Sequence, residues 1–116
     1  MPNQELLELA AYAADFRNVK YIDDKVGLIV TKDDGSEFKW NPLVDDQDAF
    51  RLMVYLDLNV KFSCCADDAP IVTVERFDCD VTIPNFPCSY TTTRKAIVLA
   101  AVQAAKTMIH FLEDVQ

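Results

Sequence analysis

Glycine is scarce in this chain, with two residues among 116. No segment is repetitive or low in complexity, so a large disordered tail is not expected, and no internal repeat suggests a solenoid. Histidine occurs once, at His110. A single imidazole removes most acid–base and metal-ligand designs. Long hydrophobic runs are missing as well. The longest, Ala96 to Val102, falls far short of the ~20 residues that span a bilayer, so no membrane association is expected. The opening residues Met1-Pro2-Asn3-Gln4-Glu5 lack the basic stretch and apolar core of an export signal. The expected location is therefore cytoplasmic, where disulfides are rare.

Paired cysteines at metal-binding spacing are also lacking. Cys64, Cys65, Cys79 and Cys88 contain no pair two to four residues apart, the arrangement zinc sites favour. Adjacent Cys64 and Cys65 would point to opposite faces of a strand. The expectation is buried thiols, with no metal and no cofactor. Basic side chains are few: eleven, against nineteen acidic ones, for a formal net charge of −8. A field of that sign opposes direct nucleic-acid binding. It suits solubility, or a partner with a basic surface.

What is present reads as one α+β domain over residues 1–116, since the chain is long enough for one core and too short for two. A first helix is expected from about Gln4 to Asp15, capped by Asn3. Its buried stripe is Leu6, Leu9, Ala10, Ala13 and Ala14. Val19–Ile22 reads as a short strand. Val26–Thr31 and Glu37–Trp40 read as a hairpin closed by a two-residue Asp34-Gly35 turn. Asn41-Pro42-Leu43 breaks the strand, and Asp45 caps a second helix with Ala49, Leu52, Met53 and Leu56 inward and Phe50 widening that stripe. Asn59 is its expected terminator.

Val60, Phe62 and Cys64 then alternate with polar residues as in a half-buried strand. Ile71–Val74 and Phe77–Ile83 are two further strands. The shift in apolar parity between them implies a bulge or turn near Glu75-Arg76. Pro84 and Pro87 end this region. The last helix starts at Thr91–Thr93 and runs almost to Glu113, apolar over more than half its surface. Such a helix needs cover on two sides. It is either central to the fold or part of a homodimer interface.

The block Trp40-Asn41-Pro42-Leu43 with Asp45 to Leu52, and a second block Thr93-Arg94-Lys95-Ala96-Ile97-Val98, resemble motifs of small phage and prophage proteins of the phage ABA sandwich family. The two blocks and their order take in about half of the chain; the Cys64 to Ser89 region and the cysteines lie outside the match. The resemblance implies an α/β/α layered sandwich, read here as a mainly antiparallel sheet with three helices, the C-terminal one longest. It implies a phage origin, and so the host cytoplasm. It implies no activity.

The residues supply no catalytic set either. Asp23-Asp24, Asp33-Asp34, Asp45-Asp46 and Asp67-Asp68 all fall at turns or a helix start, where aspartate serves local hydrogen bonds. Arg94 and Lys95 stand in the first turn of the last helix, against the favourable direction of its dipole. One reading is an ion pair from Arg94 to Asp45, Asp46 or Asp48. The other is an anion site built from Thr91, Thr92, Thr93, Arg94 and Lys95. Trp40, Asn41, Pro42, Asp45, Asp48 and Arg94 otherwise read as structural. The expected function is a non-enzymatic phage accessory protein that binds a host or phage protein, for example one serving host defence or binding nucleic acid. The alternatives are a small anionic-ligand or phosphate-binding domain and a virion or assembly component.

Overall fold

The computed structural model describes residues 1–63, 71–76, 79–84 and 89–115. Three helices and six strands alternate along them: α1 (Asn3–Ala13), β1 (Val19–Asp23), β2 (Gly27–Thr31), β3 (Glu37–Trp40), α2 (Asp46–Tyr55), β4 (Asn59–Ser63), β5 (Ile71–Arg76), β6 (Cys79–Pro84) and α3 (Ser89–Val115). This is the expected layered α+β fold, and α3 is its longest element. The strands divide into two antiparallel three-stranded sheets, β1-β2-β3 and β4-β5-β6. Helix α1 packs on the first sheet and α3 on the second, and the two helices pack on each other. α2 leans on α3.

Both helix ends of the first half solve a problem that scarce glycine creates. A helix closes well when the residue after its cap turns left-handed, the usual place of glycine. Here aspartates take that conformation: Asp15 at φ 67° and Asp57 at φ 56°. After α1, the Phe16 amide donates to the Ala11 carbonyl (2.9 Å) and Asp15 to Tyr12 (3.1 Å). After α2, Leu58 donates to Met53 (3.0 Å) and Asp57 to Val54 (3.2 Å). The expected terminator Asn59 instead opens β4. At the other end of α1, Asn3 is the first helical residue and not its cap. Pro2 holds the cap position in extended conformation without a side-chain bond.

The Asp34-Gly35 turn is one residue longer than expected. Lys32 donates its amide to the Ser36 carbonyl (2.8 Å) and Gly35 donates to Lys32 (2.9 Å). The loop is thus Asp33-Asp34-Gly35, a turn followed by Gly35 at φ 87°. The Asp34 carboxylate accepts from both the amide and the hydroxyl of Ser36. Those two bonds hold its pKa below the ordinary carboxylate value.

The core is one continuous cluster. Leu7, Ala10 and Ala11 of α1, Leu28 and Val30 of β2, Val72 and Val74 of β5, and Val98, Ala100 and Ala101 of α3 are all buried. Alanines let the two helices approach closely. The apolar surface of α3 from Ala96 to Ala105 is therefore used within the chain. Ala96, Ile97, Val98, Ala100, Ala101, Val102, Ala104 and Ala105 are buried, whereas Lys95, Gln103, Lys106 and His110 are exposed.

Two aromatic placements differ from expectation. Phe50 lies on the outer face of α2, 60% exposed, and Phe62 projects from β4 into solvent. Apolar periodicity marks a stripe, but which edge of it is covered depends on the neighbours that tertiary packing supplies. The bulge or turn expected near Glu75-Arg76 is not at those residues: β5 runs unbroken through Arg76, and Glu75 and Arg76 pair in register with Asp80 and Cys79; positions 77–78 lie outside the described residues. So do Cys64, Cys65, Cys88 and Asp67-Asp68.

Candidate functional site

Asn41 is the one buried polar residue among the described residues, at 4% exposure, and it organises the centre of the molecule. Its side-chain amide donates to the carbonyls of Asp24 (3.0 Å) and Lys25 (3.1 Å) in the β1–β2 turn. Its side-chain oxygen accepts from the Leu43 amide (3.2 Å). Its own amide donates to the Asp48 carboxylate (2.8 Å), and its carbonyl accepts from Val44 and Asp45. One residue thus ties the first hairpin, the end of β3 and the start of α2. Gly27 makes room for it. A Cβ at that position would stand 2.6 Å from the Asn41 Cβ and 2.7 Å from the Trp40 carbonyl, and the backbone there is left-handed at φ 78°.

The other motif residues support the same junction. Pro42 is fully buried. Trp40 packs in the core, its ring edge-on to Phe16 at 5.3 Å between centroids. Asp45 caps α2 by accepting the Asp48 amide (2.9 Å). Asp48 is half-buried, and burial pushes its carboxyl pKa up, against the opposing effect of the Asn41 amide bond.

Arg94 adopts the expected ion-pair geometry, although α3 begins at Ser89 and so places it in the second turn and not the first. Its Nη1 pairs with Asp46 (2.5 Å), Nε donates to the Leu43 carbonyl (3.0 Å) and Nη2 donates to the Thr91 hydroxyl (3.3 Å). The two blocks of the motif thereby meet in space. The five residues considered as an anion site sit deeper in the helix than expected, because α3 begins at Ser89. The amides of Thr93, Arg94 and Lys95 consequently fall beyond the free first turn. Thr93 and Arg94 line a small hollow of about 190 Å³ with Asp46, Phe62 and Tyr90.

A larger cleft lies elsewhere, between β3 and α2, with a volume of about 790 Å³. Phe16, Phe38 and Trp40 supply an aromatic floor. α2 supplies a wall through Asp48, Arg51, Leu52 and Tyr55, residues whose spacing places them on one helical face. Lys25, Lys32 and Lys39 join from the first hairpin. Lys25, Lys32, Lys39 and Arg51 make no ion pair among the described residues; the pairs present there use Arg17, Lys61 and Arg94. Its two acidic residues, Asp45 and Asp48, are each engaged with a backbone amide. Sequence reasoning missed this cluster. Its cations come from a turn, a loop, a strand and a helix, and no spacing rule connects them.

β3 is an edge strand, and its backbone parity is determined. Thr31 donates to Asn18 on the β1 side, and Lys32 bonds Ser36 across the hairpin. Ser36, Phe38 and Trp40 therefore turn their amides and carbonyls toward β2, while Glu37, Lys39 and Asn41 turn theirs outward. Asn41 spends its outward amide on Asp48. Those of Glu37 and Lys39 open along the edge, where Lys39 joins the cleft lining.

No helix among the described residues is long and apolar enough to cross a membrane, and no three His, Cys, Asp or Glu side chains gather there as a metal site. The chain matches no protein-family model, no curated protein and no solved structure.

Proposed function

We propose that this chain is a non-enzymatic protein-binding module whose partner seats in the cleft between β3 and α2. The observation that carries this reading is the gathering of Lys25, Lys32, Lys39 and Arg51, none paired with a described acid, around one cleft of a chain with net charge −8. Surplus charge of the minority sign, concentrated beside apolar surface, supplies orientation and encounter rate to a binding site. Phe16, Phe38 and Tyr55 supply the apolar contact area. The cleft carboxylates already hold backbone amides, a positioning role that leaves them poorly placed as acid or base. The resemblance to phage proteins suggests the setting: an accessory protein acting on a host or phage protein in the host cytoplasm.

A photo-cross-linking residue placed at Tyr55 tests this in bacterial lysate, with Lys106 on the far polar stripe of α3 as the control position. The expected result is a discrete protein adduct from position 55 that is absent from position 106 and lost on Lys39→Glu. Equal labelling from both positions, or none from position 55, would overturn the reading.

A further inference from the structure

We propose that the cleft takes its partner as an extended acidic segment that adds a strand to β3. The inference deepens the binding-module reading and rests on it.

Two observations converge. The first is the free edge. Glu37 and Lys39 turn amides and carbonyls away from β2, and the Asn41 amide on the same side is already drawn to a carboxylate, Asp48 Oδ2, at 2.8 Å. Unpaired strand edges are templates for another strand, and native proteins ordinarily cover or blunt them. Here α2 stands away from the edge. The two elements are joined at Asn41 and enclose the cleft between them.

The second observation is charge. Lys25 lies at the Asn41 end of the hairpin, Lys32 at the loop end, Lys39 between them, and Arg51 across on α2. A strand entering along β3 would pass all four. Its side chains alternate in direction, so one set lies on the face of Phe38, whose ring Lys32 Nζ approaches to 5.4 Å, and the other on the face of Lys39 and Glu37. The matching partner is an extended peptide that carries acidic side chains among apolar or β-branched ones. A basic or proline-interrupted segment is excluded by repulsion in the first case and by loss of ladder donors in the second.

The test selects binders from a random octapeptide display library against the intact chain, followed by N-methylation of alternate amides in the selected peptides. Acidic residues should be enriched and proline depleted. N-methylation on the β3-facing register should weaken binding by at least tenfold, with N-methylation one residue along having little effect. Amide resonances of Glu37 and Lys39 should shift and become protected from hydrogen exchange. Selected peptides that are basic, or that tolerate N-methylation in both registers, overturn strand addition. If they still compete with the position-55 adduct, the cleft remains a binding site and only the strand geometry fails. Selection of no peptide, together with no adduct at position 55, overturns both.

Discussion

At the scale of single residues, the shortage of glycine leaves a measurable mark. Asp15 and Asp57 hold left-handed backbone that glycine adopts without steric cost. Their neighbours' hydrogen bonds depend on the conformation and not on the side chain. Asp15→Gly and Asp57→Gly are therefore each expected to stabilise the fold by up to about 1 kcal/mol, after the entropy that glycine adds to the unfolded chain is deducted. The Asp15–Arg17 pair that is lost is exposed on both sides and counts for little. Urea denaturation of the two variants measures this directly. Asp48 gives a pH-dependent counterpart. Its carboxyl pKa is raised by burial above the ordinary 3.8, so the folded chain holds that proton more tightly than the unfolded one. Stability from this group is therefore fully present below 3.8 and is lost as pH rises through the folded value. Asp48→Asn keeps an acceptor for the Asn41 amide without the buried charge. It should match or exceed the parent in stability at pH 7 and lose that advantage at pH 3. Asp48→Ala leaves the amide unpaired and should cost about 1–3 kcal/mol at both. Denaturant midpoints at the two pH values decide it. Equal losses for Asn and Ala at pH 7 would mean that the charge itself holds the junction.

Among elements, the contact that matters most for the site is the one between α2 and α3. Arg94 reaches from the first turns of α3 to the Leu43 carbonyl and to Asp46 at the start of α2. Its side chain is 17% exposed and that of Asp46 is 72% exposed. The ion pair is thus mostly in water on one side, where such pairs are worth about 0–1 kcal/mol. The bond to the Leu43 carbonyl is part-buried and satisfies backbone that would otherwise stand unpaired. Arg94→Ala should consequently cost about 1–3 kcal/mol, and Asp46→Ala less than about 1 kcal/mol. Thermal and urea unfolding of the pair of variants checks the inequality, and equal losses would assign the stability to the ion pair. This junction was partly legible in the sequence. Arg94, read as a first-turn cation, pointed to an acidic partner among Asp45, Asp46 and Asp48; the partner is there, although the start of α3 at Ser89 puts Arg94 in the second turn. The carbonyl of Leu43 carried no such signal, since backbone acceptors look alike in a sequence.

For the whole molecule, what was legible followed from local physics. Alternation and an Asp-Gly turn placed the first hairpin, and the wide apolar face of α3 called for cover either within the fold or in a dimer; its residues from Ala96 to Ala105 are largely buried within the chain. The separation into two sheets was not legible, because strand periodicity does not say which strands pair. Nor were the exposed Phe50 and Phe62, whose faces are decided by distant neighbours. The cleft was the least legible feature. Lys25, Lys32, Lys39 and Arg51 each read as an ordinary surface cation until the junction at Asn41 draws their elements together. The packing of α1 on α3 also bears on how the chain is made. Within each sheet, strands pair only with chain neighbours, so both sheets can close over short loops. α1 is synthesised before both sheets, and α3, which covers it, after them. Leu7, Ala10 and Ala11 thus wait for their cover until the chain has been made through α3, after both sheets.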